Sequence, residues 1–263
     1  MDATTYTGTG SAASITNTGG FQPDMVWLKC RSNSTNHYFT DAIRGTTKQI
    51  YSNSTAAEGT SGNVLTAFNS NGFSLGTDAE INGSARTYVG WQWKASNTTA
   101  VTNTSGSITS SVSANTTAGF SIVTYNGTGF AGATVGHGLG VAPSLVIFKN
   151  RDSVFDWPVY HVSMGASNVM FLNTTGAQTS SSIYINGVAP TSTIITLGTS
   201  GSTNSGANQI AYCWAEIAGF SKFGSYTGNG STDGVFVYTG FRPKFWMVKR
   251  TDTSGNPWMI YDS

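Results

Sequence analysis

The chain has 263 residues and carries 13 Lys and Arg against 12 Asp and Glu, for a net charge of +1. Only 10% of its residues are charged, far below the ~25% of an average soluble domain. That balance leaves no basic footprint for nucleic acid, no apolar run long enough for membrane insertion, and an opening Met1-Asp2-Ala3-Thr4-Thr5 without the basic or apolar region of a secretion signal. With 38% apolar residues and 12% aromatics the chain can bury real cores. Its polar positions draw on Ser, Thr, Asn and 32 glycines, which suit turns and the wet face of strands rather than helices. The composition predicts an all-β protein, and Cys30 and Cys213 read as two reduced thiols in or near cores.

In chain order, the first signal is Tyr6-Thr7-Gly8-Thr9-Gly10, followed by Pro23-Asp24-Met25-Val26-Trp27-Leu28-Lys29. A single helical turn is expected at Thr55-Ala56-Ala57-Glu58, and Phe73-Ser74-Leu75-Gly76 and Val89-Gly90-Trp91-Gln92-Trp93 complete the set. Residues 96–117, almost all small and polar, have linker composition. The signals then return as Tyr125-Asn126-Gly127-Thr128-Gly129, Pro143 to Lys149, Ile195-Thr196-Leu197-Gly198 and Ile210-Ala211-Tyr212-Cys213-Trp214. They begin a third time with Tyr226-Thr227-Gly228-Asn229-Gly230 and Pro243-Lys244-Phe245-Trp246-Met247-Val248-Lys249. Such self-similarity predicts a first β-sandwich repeat over 1–95, a linker over 96–117 and a second repeat over 118–218. An incomplete third repeat over 219–263 should pack on the second or on a neighbouring subunit.

Within the second copy, strands are expected near 121–125, 133–136, 145–149, 157–160, 169–172, 182–185, 194–197 and 209–214. Tandem jelly-roll-like sandwiches with almost no helix fit this pattern best. The strands after Pro23, Pro143 and Pro243 are apolar on both faces, whereas a sandwich strand alternates. A second layer must cover them, which favours a homo-oligomer and, among oligomers, a trimer.

Each motif that invites chemistry has a plainer reading. Gly127-Thr128-Gly129-Phe130-Ala131-Gly132 fits the dinucleotide pattern, but Ala133-Thr134-Val135-Gly136 cannot begin the helix that would hold a pyrophosphate. His137 lies between glycines and is read as a turn residue; His37 and His161 make no metal pair. Asp78 with Glu80 and Asp152 with Asp156 are the carboxylate pairs that glycoside hydrolysis would need, and both read as solvated loop acids. Trp157, Trp258, Tyr160 and Tyr261, with Tyr38 approximating them in the first copy, could stack on a sugar, yet a recurring strand aromatic belongs more naturally to a core. No residue is assigned as catalytic, cofactor-binding or metal-ligating.

The run of Tyr-x-Gly-x-Gly, Gly20-Phe21-Gln22-Pro23-Asp24, Ser52-Asn53-Ser54-Thr55-Ala56-Ala57-Glu58, Gly72 to Gly76 and Thr87 to Ala95 resembles a repeat domain found in structural proteins of marine bacteriophages that infect cyanobacteria or Pelagibacter. Gly138 to Pro143 and Gly219 to Tyr226 carry the resemblance through the second copy. The resemblance implies a virion setting and no catalytic residue. The expectation is therefore a non-enzymatic virion protein, either a tail fibre or tail appendage or a capsid decoration component. It would bind copies of itself and other virion proteins, without cofactor, nucleic acid or membrane insertion. The alternative is a lectin-like adhesin for host surface polysaccharide.

Overall fold

Alternation along the Pro-led strands decides the architecture, because neighbouring side chains on a strand face opposite sides of the sheet. The computed structural model describes residues 1–263. In the first segment the strands are β1 (Asp2–Thr7), β2 (Ala13–Thr16), β3 (Met25–Cys30), β4 (His37–Asp41), β5 (Lys48–Tyr51), β6 (Gly59–Thr60), β7 (Leu65–Asn69), β8 (Gly72–Leu75) and β9 (Thr87–Trp93), with a helical turn α1 (Ala79–Asn82) before β9. The next stretch supplies β10 (Val101–Asn103) and β11 (Ser110–Asn115). Then follow β12 (Phe120–Asn126), β13 (Thr134–Gly136), β14 (Leu145–Asn150), β15 (Pro158–His161), β16 (Asn168–Phe171), β17 (Thr179–Ser180), β18 (Ile194–Thr196), the turn α2 (Gly201–Asn204) and β19 (Asn208–Trp214). The last segment holds β20 (Phe245–Val248) and β21 (Met259–Asp262).

The protein is all-β. One sheet runs β1-β9-β3-β4-β5-β6 and another runs β10-β11-β12-β19-β14-β15-β16-β17. From β12 onward the second has the strand order of the first. Registers agree as well: Trp27 faces Trp91 on one side and Phe39 on the other, as Ile147 faces Tyr212 and Val159. A small sheet, β2-β8-β7 in one case and β13-β18 in the other, lies over the outer face of each. Val26, Leu28 and Tyr38 meet Leu65, Phe73 and Leu75 beneath the first cover, while Val146, Phe148 and Tyr160 meet Val135, Ile195 and Leu197 beneath the second.

The alternate residues of the same strands turn the other way. Met25, Trp27, Phe39, Trp91 and Trp93 form one continuous core with Phe120, Ile122, Ile147, Trp157, Ile210 and Tyr212. Phe245, Met247, Trp258 and Ile260 of the third segment pack into the same core. The apolar second face of β3 and β14 is thus covered within this chain, while on β20 Trp246 stays 46% exposed. At about 25 cal/mol per Å² of apolar surface removed from water, burial of such rings is the main force joining the segments.

Three local expectations are corrected. Residues 96–117 are not a bare linker: β11 pairs with β12, and Ile108, Val112, Ser110 and Ser113 are buried, so small side chains here pack a sheet edge. Residues 182–185 form no strand, although Ile185 is buried from a turn. The helical turns fall at α1, at Val162–Met164 and at α2, not at 55–58, whose backbone instead bonds to the second segment.

Candidate functional site

The glycine turns show how local sequence and distant residues combine. Asn82 ends α1 and donates Nδ2 to Gly76 and Ser11 carbonyls at 2.7 Å, while its Oδ1 accepts from the Thr9 amide at 3.0 Å. Asn204 ends α2 and does the same with Gly198, Phe130 and the Thr128 amide, at 2.6, 2.9 and 2.9 Å. A side chain at Gly8 or Gly127 would collide with the carbonyls of Gly83 or Ser205. The glycines are thus required for close approach to an asparagine clamp, and the dinucleotide-like motif is this clamped turn.

The other candidates are also tied into the fold. His137 is fully buried rather than loose in a turn; Nε2 lies 3.1 Å from the Thr191 carbonyl and Nδ1 accepts from the Leu139 amide at 3.3 Å. Burial lowers its pKa below the ordinary histidine value, and the Thr191 contact partly opposes that shift. Of the acids predicted to be solvated, Asp78 caps α1 through the Glu80 amide, and Glu80 accepts from Tyr38 and Asn36. Asp152 holds the Asn208 amide and side chain, and Asp156 accepts from Asn173. The structure does not bring the two pairs together. No group of three His, Cys, Asp or Glu side chains is placed to hold a metal ion. Cys30 and Cys213 are buried free thiols, and burial pushes Cys213 up to about 12.

Of the aromatics, Trp157 and Tyr160 are buried, and Tyr38 with them. The strand registers correct one equivalence: Trp157 and Trp258 correspond in the first segment to His37, not Tyr38. The two tryptophans are joints between segments. Trp157 Nε1 donates to the Tyr51 carbonyl at 3.0 Å, and Trp258 Nε1 donates to the Phe171 carbonyl at 2.9 Å.

That pairing is part of a larger correspondence. Lys149 donates to Thr55 and Phe155 carbonyls, and Lys249 to those of Thr175 and Asn256. The Glu58 amide meets the Arg151 carbonyl at 2.7 Å, and the Gln178 amide meets the Thr251 carbonyl at 2.9 Å. Phe155 bonds to the Thr55 carbonyl as Gly255 does to that of Thr175. A third contact closes the circuit. Tyr212 of the second segment donates to Asp41 of the first at 2.7 Å, and Trp91 of the first donates to Asp262 of the third at 2.7 Å. Asp41 and Asp262 hold the same register position. The second segment therefore meets the first, the third meets the second, and the first meets the third, each head to tail around the common core. Such a heterologous contact closes into a ring when its rotation allows.

Charge is concentrated at one joint. Arg44, buried, donates to Asp41, to Glu58 at 3.1 Å, to the Phe39 carbonyl at 3.0 Å and to Tyr212 at 3.2 Å. Arg151 adds two bonds to Glu58, both 2.9 Å. Burial pushes the Glu58 carboxyl up, but Arg151 and Arg44 pull it further down, and it ends below its ordinary value. Burial keeps Tyr212 protonated to well above the usual phenol range. Lys149 lies 5.8 Å from the Trp157 ring, and burial lowers it to about 8 against a small opposing pull from Asp156. Asp41, Arg44 and Arg151 carried no sequence signal, since the segments they join lie far apart along the chain; Glu58, Lys149, Trp157 and Tyr212 stood out only as parts of turn, strand and aromatic patterns.

Comparison with known proteins gives one family. Residues 1–263 match the family model of a domain of unknown function, DUF7483. No curated protein and no solved structure matches the chain.

Proposed function

For a chain that belongs to the DUF7483 family along its whole length, we propose a non-enzymatic structural role in a bacteriophage virion, as a tail fibre, tail appendage or capsid decoration component built from tandem repeats. The observation that carries the structural part is the fate of the reactive side chains. Asp41, Glu58, Arg44, Arg151, Lys149 and Tyr212 are all spent on joining the first two segments. The acids that could have served hydrolysis hold turns and neighbouring asparagines. The phage setting comes from the sequence resemblance alone. A lectin-like role would need exposed rings: of its candidates Trp157, Tyr160 and Tyr38 are buried, while Tyr261 is exposed and stacked on Trp246.

The test has two arms. Peptide mapping and electron cryo-microscopy of purified phage particles that encode the chain should find it as a stoichiometric component of head or tail. Its absence from the particle would overturn the proposal. A glycan array with the whole chain should show no saturable binding, and a reproducible hit lost on mutating a surface ring would turn the assignment to an adhesin.

A further inference from the structure

We propose that the third segment accepts one more strand along Phe245–Val248, from a polypeptide segment outside these 263 residues that carries a closing strand preceded by an asparagine-ended turn. In the first two segments β3 and β14 are flanked on one side by β4 and β15 and on the other by β9 and β19. The counterpart β20 pairs with β21 alone, so its other edge carries no strand. An unpaired edge of this kind is a template for strand addition.

Side-chain exposure marks the same place. Trp246 is 46% exposed and Tyr261 43% exposed, stacked on each other at 4.2 Å, whereas Val146 and Tyr160 at the corresponding positions are 0% and 5% exposed. Residues 220–227 point the same way independently. They match β12 in sequence, yet they form no strand and leave Phe220 and Tyr226 exposed. β1 and β12 reach the Pro-led strands only through β9 and β19. Without a closing strand, residues 220–227 have nothing to pair with. The turn Tyr226-Thr227-Gly228-Asn229-Gly230 likewise has no counterpart of Asn82 or Asn204 to clamp it.

The incoming chemistry is legible from β9 and β19. Both run antiparallel to the Pro-led strand and put a β-branched residue and two aromatics (Val89, Trp91, Trp93; Ile210, Tyr212, Trp214) on one face. Between them stands a small residue, Gly90 or Ala211, facing the cover. The aromatic pair would settle against Phe245 and Met247, where Trp91 and Trp93 already approach Phe245 at 6.2 and 5.6 Å. A second folded copy is a poor donor, because its own closing strands are held between β1 and β3 and between β12 and β14.

The experiment adds a synthetic peptide with the sequence of residues 193–216, carrying Cys213→Ala, to the whole chain. Saturable one-to-one binding is expected, with amide exchange at Phe245–Val248 slowed about tenfold or more and new protection at residues 220–227. Trp246→Glu should weaken binding about tenfold, since its charge would be covered, and leave residues 1–218 as protected as before. A second format guards against poor peptide behaviour: residues 193–216 are appended after Ser263 through a Gly/Ser linker, and the same protection is expected. Equal binding by a scrambled peptide, protection of Phe245–Val248 without residues 220–227, or no gain in either format would overturn the proposal. So would concentration-dependent self-association of the chain alone that protects Phe245–Val248, which would assign the edge to a second copy.

Discussion

The joint between the first and second segments and the joint between the second and third share a backbone and differ in chemistry. Both have a tryptophan donating to a strand carbonyl, a buried lysine on a loop carbonyl and two backbone bonds between loops. Around that frame the first joint places Asp41, Arg44, Glu58 and Arg151, and the second places His161, Met164, Gln178 and Thr251 at the corresponding positions. Strand packing and backbone bonds therefore set the geometry of the joint, and the ionic network is an addition that the geometry tolerates. This agrees with the general finding that a buried ion pair can be exchanged for neutral packing, while half of one cannot be left behind.

The largest effect should come from the frame itself. Trp157→Ala removes a fully buried ring, opens a cavity in the common core and should cost about 3–5 kcal/mol in urea unfolding. Trp258→Ala should instead release Phe245–Val248 and Met259–Asp262 to hydrogen exchange while residues 1–95 keep their protection. Equal losses from both variants throughout the chain would contradict the hierarchy of the joints.

Next comes the network. Arg44→Met alone leaves Asp41 and Glu58 without their shared partner and should cost roughly 3–4 kcal/mol. The quadruple variant Asp41→His, Arg44→Met, Glu58→Gln, Arg151→Thr installs the chemistry of the second joint and should recover most of that loss. If the quadruple is no better than the single, the two joints are not interchangeable. Asn204→Ala should cost roughly 2–3 kcal/mol by leaving buried carbonyls and an amide unpaired, and Asn82→Ala should match it. A difference between them beyond 1 kcal/mol or so would show the two clamps to be unequal.

Acid should reveal smaller terms. Burial, helped by Lys29, lowers His37 to about 4 from an ordinary 6.5, and burial also lowers His137 and His161. The folded state resists protonating them, so their contribution is complete above pH 6.5 and is lost as pH falls below it, for His37 through about 4. His37→Gln should flatten the stability profile in that window. The depressed Glu58 adds a loss at lower pH, below its ordinary 4.5. At the alkaline side, folding favours the neutral amine of Lys149, so this group makes stability rise between about pH 8 and 10.5. Lys149→Met should remove that rise, measured as the difference between the two denaturation profiles from pH 8 to 9.5.

Much of this arrangement is legible in the chain. Tyr-x-Gly-x-Gly, the Pro-led apolar run and the aromatic closing strand mark three corresponding segments, because period-two patterning and turn residues are local properties. The two-faced apolarity of β3, β14 and β20 also shows that a second layer is needed. What covers them is decided only in three dimensions. Trp27, Ile147 and Met247 reach a common core because the head-to-tail joints turn all three sheets inward. The pairings that make those joints are invisible in the sequence for the same reason: Arg44 meets Tyr212 across 168 positions, and Trp91 meets Asp262 across 171. Residues 96–117 read as a spacer because Ser, Thr and Asn prefer turns, yet the open edge of β12 and the burial of Ile108 and Val112 draw them into strands. Sequence by itself determined which residues alternate and where the chain turns, since both follow from backbone sterics and side-chain polarity over a few residues. Tertiary structure alone decided which faces meet, since that depends on closing a circuit of side-chain contacts 74 to 171 positions apart.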